Sequence, residues 1–297
     1  MENKEYISVK AFADKFQISE RTARNYCSNG KIAGAFLVGK TWNIPSNVLL
    51  PGRKKAFKES VLLKSLREQK QMKLKGGIYH RIQIDLTYNS NHIEGSKLTK
   101  EQTRFIFETN TIGVTDNAVN VDDIIETTNH FRCIDYIIDH AADELTEAFI
   151  KQLHYLLKSS TSDAAKDWFA VGDYKRLPNE VGGNQTCPPE KVHSQLKELL
   201  SSYKSKKEPS FEDLLDLHVC FERIHPFQDG NGRVGRLILF KECLKHSVVP
   251  FIITEELKMF YYRGLHQWGK INGYLTDTCL SSQDNFKELM AYFKIKE

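Results

Sequence analysis

The chain has 297 residues and a formal net charge of +4, enough length for about two domains and a sizeable core. Its composition is ordinary for a soluble globular protein. No apolar run approaches a membrane span and the opening Met-Glu-Asn-Lys-Glu-Tyr lacks a signal-peptide core, so a cytoplasmic chain without a membrane partner is expected.

Six cysteines (27, 133, 187, 220, 243 and 279) are scattered singly with no Cys-x-x-Cys pair, which fits reduced thiols better than a disulfide framework or a zinc site. Charge is uneven. Residues 1–58 hold 11 Lys/Arg against 4 Asp/Glu, whereas the remainder hold 31 against 34, and the basic end hints at a polyanionic partner.

Ser8 can cap a helix whose apolar residues Val9, Phe12, Ala13 and Phe16 fall at helical spacing. After a short turn at Gln17-Ile18, Ser19 caps a second helix that ends before Gly30. Residues 35–38 and 41–44, joined by Gly39-Lys40, predict a two-stranded hairpin. Helix, turn, helix, hairpin is the order of a winged helix-turn-helix, and residues 1–50 resemble the excisionase and MerR-type DNA-binding fold. The resemblance implies that Arg21, Thr22, Arg24 and Asn25 read bases or phosphates, with Lys31 and Lys40 on the backbone. The same fold also serves as a protein-docking module.

Pro51-Gly52-Arg53-Lys54-Lys55 predicts a basic linker over residues 51–58. A helix is expected from about Glu59 through Leu74, with Leu62, Leu63 and Leu66 on its apolar side and Gly76-Gly77 as its stop. Ser90-Asn91-His92-Ile93-Glu94-Gly95 reads as a helix end, Glu94 on the last turn and Gly95 just beyond it. Amphipathic helices are expected over 122–138 and 145–158. The first carries Glu126 and Asn129 in structural roles, the second His154 as a core-edge histidine. Residues 171–176, Val-Gly-Asp-Tyr-Lys-Arg, open a segment to Pro189 that reads as a surface hairpin, with Val181, Gly182 and Gly183 leaving its backbone uncluttered.

The densest chemistry lies in His225-Pro226-Phe227-Gln228-Asp229-Gly230-Asn231-Gly232-Arg233-Val234-Gly235-Arg236. An amphipathic stretch, 211–224, precedes it and the apolar run 237–240 follows, so the pattern is helix, tight loop, helix. Gly230 and Gly232 let an anion approach backbone N–H groups at a helix N-terminus. His225 suits a general base, Asp229 a Mg²⁺ ligand, and Asn231, Arg233 and Arg236 phosphate oxygens. Together these residues suit binding a nucleoside triphosphate and deprotonating an attacking hydroxyl.

This stretch resembles the signature loop of the Fic family, His-Pro-Phe-x-Asp/Glu-Gly-Asn-Gly-Arg-x-x-Arg, without a departure. The resemblance implies a mostly α Fic fold with a β-hairpin flap, and transfer of AMP from ATP to a Ser, Thr or Tyr hydroxyl of a protein, self-modification included. It implies that His225 is the base, that Asp229 holds Mg²⁺, that Gly230, Asn231, Gly232 and Arg233 form the anion hole, and that Arg236 meets the γ-phosphate. Phe227 is expected to anchor the loop in the core. A kinase-like branch carries Lys where Gly232 stands, so Gly232 argues for nucleotidyl transfer.

Beside such a loop, Ser90 and Glu94 resemble the family's inhibitory helix, which implies a Glu94–Arg236 salt bridge supported by Ser90. The same glutamate can activate water to remove AMP. Residues 171–189 resemble the flap on which a target strand is aligned. Phe260-Tyr261-Tyr262 resembles the adenine-pocket helix, with Tyr261 or Tyr262 as the contact; Gly269 stands where the family often has Asn. The expected domains are 1–50, the linker 51–58, a helical segment 59–115 carrying the inhibitory helix, and a Fic core with C-terminal helices over 116–297. A DNA-binding regulator with a nucleotide-sensing Fic domain and a de-AMPylase are the alternatives, and a homodimer is compatible with each.

Overall fold

A computed structural model describes residues 5–50, 57–113 and 118–296. The chain divides into two compact units, Met1–Ala56 and Phe57–Glu297. Most of the expected basic linker, residues 51–56, lies outside the described residues, as does the boundary expected between 115 and 116.

The small unit runs β1 (Tyr6–Ser8), α1 (Val9–Phe16), α2 (Glu20–Ser28), β2 (Phe36–Val38) and β3 (Thr41–Pro45). Ser8 and Ser19 cap the two helices by accepting from Ala11 N and Thr22 N, satisfying N–H groups that a helix start leaves open. Gly39, at φ 61°, turns β2 onto β3, and β1 adds on the other side in the order β1-β3-β2. The strand β1 was not expected, because three residues ending on the capping Ser8 carry no alternation to read. Val9, Phe12, Ala13, Ala23, Cys27, Ile32 and Ile44 form the core.

The larger unit is helical: α3 (Val61–Met72), α4 (Ile78–Ile93), α5 (Lys100–Thr109), α6 (Val121–Asp139), α7 (Glu147–Lys158), a hairpin β4 (Glu180–Val181) and β5 (Asn184–Gln185), α8 (Pro189–Ser205), α9 (Phe211–Ile224), α10 (Asn231–Lys245), α11 (Lys258–Gln267) and α12 (Gly273–Tyr292). Two helices escaped the sequence reading although their starts were legible. Thr99 and Gln102 form a full capping box for α5, and Pro189 opens α8 at the first helical position. The end of α3 also falls short of expectation. Lys73 turns into the left-handed region and stops it, while Gly77 caps the start of α4.

Helix α10 is the centre. Nearly every residue from Asn231 to Leu244 is buried, and α4, α6, α7 and α9 pack around it. A helix buried all round must pair its polar side chains, and Arg233, Arg236, Lys241 and Glu242 are all in ion pairs. Apolar anchors such as Val234, Leu237 and Ile238, each contributing about 1.5–3 kcal/mol on burial, fix this helix and the loop before it.

The register of α4 on α6 is set by polar pairs. Gln83 donates to Asp135 at 2.9 Å, Thr87 meets His130 at 2.9 Å, and Asn91 donates to Thr127 at 3.1 Å. Such bonds inside a core cost the unpaired groups' desolvation if the helices slip, so they select one alignment.

Candidate active site

Helix α9 ends where His225 enters the left-handed region (φ 51°, ψ 61°), its N–H still bonded to Phe221 O at 3.0 Å. That conformation turns the imidazole out of the helix. Its Nδ1 lies 3.3 Å from the Glu222 carbonyl, which can only accept, so Nδ1 carries the proton and Nε2 is left as an acceptor. Burial holds this imidazole below its usual value; Lys175 acts in the same direction, and the Glu222 carbonyl, Glu94 and Asp229 oppose. A neutral imidazole with a bare Nε2 is what proton abstraction requires.

The loop is stapled from within. Phe227 is fully buried and stacks on His154 at 3.9 Å, with the rings within 2° of parallel. The Asn231 side chain brackets Phe227, accepting from its N–H and donating to its C=O, both at 2.8 Å. The Asn231 side chain thus holds the loop in shape ahead of α10. Gly230, at φ 80°, starts α10 without a side-chain cap, so the first N–H groups of that helix remain available to an anion.

Arg233 is likewise engaged within the protein. It is buried, pairs with Glu126 and lies 3.3 Å from Asp229. The ammonium of Lys158 completes the cluster, at 2.5 Å from Glu126, 2.8 Å from Asp163 and 2.7 Å from Asp229. Burial works against the Lys158 ammonium, but Asp229 and Glu126 outweigh it. Burial likewise opposes the Asp229 carboxylate, yet Arg233 and Lys158 drive its pKa well down. Asn129 donates to the Leu157 and Ser159 carbonyls, tying α6 to the end of α7.

Asp229 keeps half of its side chain exposed (51%) while Lys158 and Arg233 hold one oxygen. One outward carboxylate completed by substrate phosphates suits Mg²⁺, so this residue fits such an ion. Among the described residues no group of three or more His, Cys, Asp or Glu could hold a metal unaided.

Glu94 reaches α10 from the opposite side. It closes α4 in a Schellman turn: Gly95 N–H bonds to His92 O, Ser96 N–H bonds to Asn91 O, and Gly95 sits at φ 100°. Arg236 donates from Nη2 to Glu94 at 2.6 Å and to the Ser90 carbonyl at 2.9 Å, and from Nε to Ser90 Oγ at 3.1 Å. A methyl group on Gly232 would lie 2.3 Å from Glu94 Oε1, so the carboxylate rests against the first turn of α10. It therefore takes a position that the helix dipole and its open N–H groups favour for any anion.

Of the two tyrosines, Tyr261 is buried, with its hydroxyl 2.7 Å from His218 Nε2, and has no face free for a base. Tyr262 is 39% exposed and touches the Ile93 carbonyl at 3.3 Å, beside Glu94.

Sequence reading missed three participants. His154 is fully buried, beyond the core edge expected for it; it accepts from Gly172 N–H at 2.9 Å and donates from Nε2 to Asp229 O at 3.2 Å, linking the hairpin segment to the loop. Lys158 ends an amphipathic helix and looks like any solvated cation. Glu222 seals Oε1 against Gly235 with no partner, and burial raises its pKa to about 8. No local pattern distinguishes these three.

In the small unit, Arg21, Asn25 and Lys40 are exposed. Arg24 is exposed too and pairs with Glu20 at 2.7 Å, while the Thr22 hydroxyl lies 2.9 Å from Ser19 Oγ.

Residues 144–242 match the Fic/DOC family. The chain is similar to protein adenylyltransferase fic-1 of Caenorhabditis elegans, 25% identical over 183 residues that are 60% of this chain and 35% of that protein. It is also similar to protein adenylyltransferase Fic of Drosophila willistoni, 29% identical over 182 residues, 60% of this chain and 35% of that protein. The chain thus spans about a third of the length of these curated relatives. Among solved structures, a Fic-domain-containing signaling protein from Bacteroides thetaiotaomicron superposes with a TM-score of 0.57 at 25% identity, over 77% of this chain and 90% of that one. A Fic family protein from Desulfovibrio desulfuricans gives 0.59 at 19% identity, over 81% and 77%.

Proposed function

We propose that the Fic domain of this chain is a protein adenylyltransferase, moving AMP from ATP to a protein hydroxyl and held back by Glu94. One observation carries the reading: a neutral His225 with a bare Nε2 stands beside the uncapped start of α10, where backbone N–H groups and Arg236 converge. In the reaction, the target hydroxyl oxygen bonds to the α-phosphorus while the bond from that phosphorus to the bridging oxygen breaks. Pyrophosphate leaves and the hydroxyl proton goes to His225 Nε2. Mg²⁺ held through Asp229 would supply charge neutralisation between the phosphates. Arg236 would bind the terminal phosphate once Glu94 withdraws, and Tyr262 would wall the base.

The relatives' names as protein adenylyltransferases support this reading. So does Gly232, since a side chain there would crowd the same first turn. The test is incorporation of label from ATP labelled at the α-phosphate, with Mg²⁺, for wild type, Glu94→Gly and Glu94→Gly/His225→Ala. Label should rise in the first variant and vanish in the second; absence of label in every variant, with ATP still bound, would sink the reading. Retention of label after wild-type protein is mixed with His225→Ala protein that Glu94→Gly has labelled in trans argues against a de-AMPylase.

For the small unit, the exposed Arg21, Arg24, Asn25 and Lys40 support a polyanion contact, with DNA as the expected partner. Gel-shift titration of Arg21→Ala/Arg24→Ala across salt concentrations tests this, and a shift unchanged by the variant or by salt overturns it.

A further inference from the structure

The transfer chemistry above makes no use of Lys175, yet the placement of this lysine is costly. Its side chain is buried (3% exposed), and its ammonium is held by two neutral oxygens, Asn179 Oδ1 at 2.7 Å and Thr186 Oγ1 at 2.6 Å. Burial lowers its pKa to about 8, with Cys187 acting weakly the other way. A buried ammonium without a carboxylate is an expensive way to bridge two acceptors, because a neutral amide could do the same.

The two oxygens lie on the two legs of one hairpin. Asn179 precedes β4 and Thr186 follows β5, and Thr186 N–H bonds to Asn179 O at 3.2 Å directly below the two-residue ladder. Gly182 and Gly183, both at positive φ, close the tip. The same residues grip the loop of His225. Lys175 N–H donates to Pro226 O at 2.9 Å, Asn179 Nδ2 donates to Phe227 O at 3.0 Å, and Leu177 N–H reaches Gln228 Oε1 at 3.3 Å.

We propose that Lys175 is a positioning residue of this site, which registers the flap hairpin against the loop bearing His225 and sets an ammonium charge beside the imidazole. The inference rests on His225 being the base. The charged groups facing that imidazole are Glu94 from α4, Asp229 from the loop and Lys175 from the hairpin segment. The two carboxylates favour imidazolium, and an arriving polyphosphate would favour it further. Lys175 opposes all three and keeps the base neutral when the site fills with negative charge. The hairpin that would align a target is thereby coupled to the protonation state of the group that deprotonates it.

The test is an NMR titration of the His225 ring in full-length protein, assigned by its absence in His225→Asn. Lys175→Gln keeps a donor for Asn179 and Thr186 but removes the charge; Lys175→Arg keeps the charge. Lys175→Gln should move the His225 titration to higher pH by about half a unit or more, and Lys175→Arg should hold it near wild type. Lys175→Met, which lacks both donor and charge, should in addition speed amide exchange across residues 180–186. An unmoved His225 titration in a folded Lys175→Gln protein overturns the electrostatic role, and unchanged hairpin exchange in Lys175→Met overturns the tie. These readouts are independent of AMP incorporation: a shifted titration without label from ATP would refute the transferase and leave Lys175 as placed, whereas label with an unmoved titration would do the reverse.

Discussion

Glu94 and Arg236 form an ion pair of 2.6 Å between the C-cap of one helix and the second turn of another, 142 positions apart in sequence. The pair competes with any phosphate for the same guanidinium. Hydrogen bonds to charged groups contribute about 1.5–3 kcal/mol, and Glu94 is part-exposed, which favours the lower end. Glu94→Gly should therefore bind ATP roughly tenfold more tightly, read by calorimetric titration. Its melting temperature should fall only slightly, because Ser90 still gives Arg236 two acceptors. Equal affinity in the two proteins would mean that Glu94 blocks nothing.

Gly232 gives an independent handle on the same contact. A Cβ there would meet Glu94 Oε1 at 2.3 Å, the far end of a side chain that can swing away more cheaply than α10 can shift. Gly232→Ala should loosen the ion pair and lower the melting temperature in the wild-type background. In a Glu94→Gly background the cost should largely disappear, so the double-mutant cycle should be strongly non-additive, with about 1 kcal/mol of coupling. Additive effects would place the strain elsewhere.

Much of this was legible in the chain. The capping serines, the helix at 211–224, the αL glycines at 95 and 230 and the Glu94–Arg236 pairing are local or motif-bound features, and local features survive into the fold. What was not legible depends on who is buried next to whom. Lys158 looks solvated in sequence and Arg233 reads there as a phosphate ligand, and only the packing of α6, α7 and α10 makes them the counter-ions of Glu126 and Asp229. Tyr261 and Tyr262 are adjacent and alike, yet helix phase puts one in the core and the other at the rim.

The Lys158 cluster should behave as one electrostatic unit. Removing one partner of a buried pair typically costs about 3–5 kcal/mol, since the other charges stay uncompensated. Lys158→Met leaves Glu126 and Asp229 with Arg233 alone, and its melting temperature should drop by roughly 10 °C. Lys158→Met/Glu126→Gln removes one charge of each sign and should recover part of that loss. A single variant that melts with wild type would show that the cluster holds nothing together.

The buried histidines set the acid limit of the fold. His130, His154 and His218 are held near pKa 3 by burial first, with cationic neighbours such as Arg233 and Arg236 acting in the same direction. Their unfolded value is 6.5, so between pH 6.5 and about 3 the unfolded chain binds protons that the native state refuses. Each therefore removes stability on acidification, by at most about 1.4 kcal/mol per pH unit, and His225, also lowered by burial, adds to the trend. Glu222 runs the other way. Raised to about 8 from 4.5, it binds its proton natively and favours folding as pH falls across that window. The histidines outnumber it below 6.5, whereas above 6.5 Glu222 acts alone among these groups. Calorimetric melting should thus peak near pH 6.5, decline gently toward pH 8 and fall steeply toward pH 5. A melting temperature constant from pH 6.5 to 5 would mean that these imidazoles are protonated in the native core, and the tautomers assigned to His154 and His225 would then have to be abandoned.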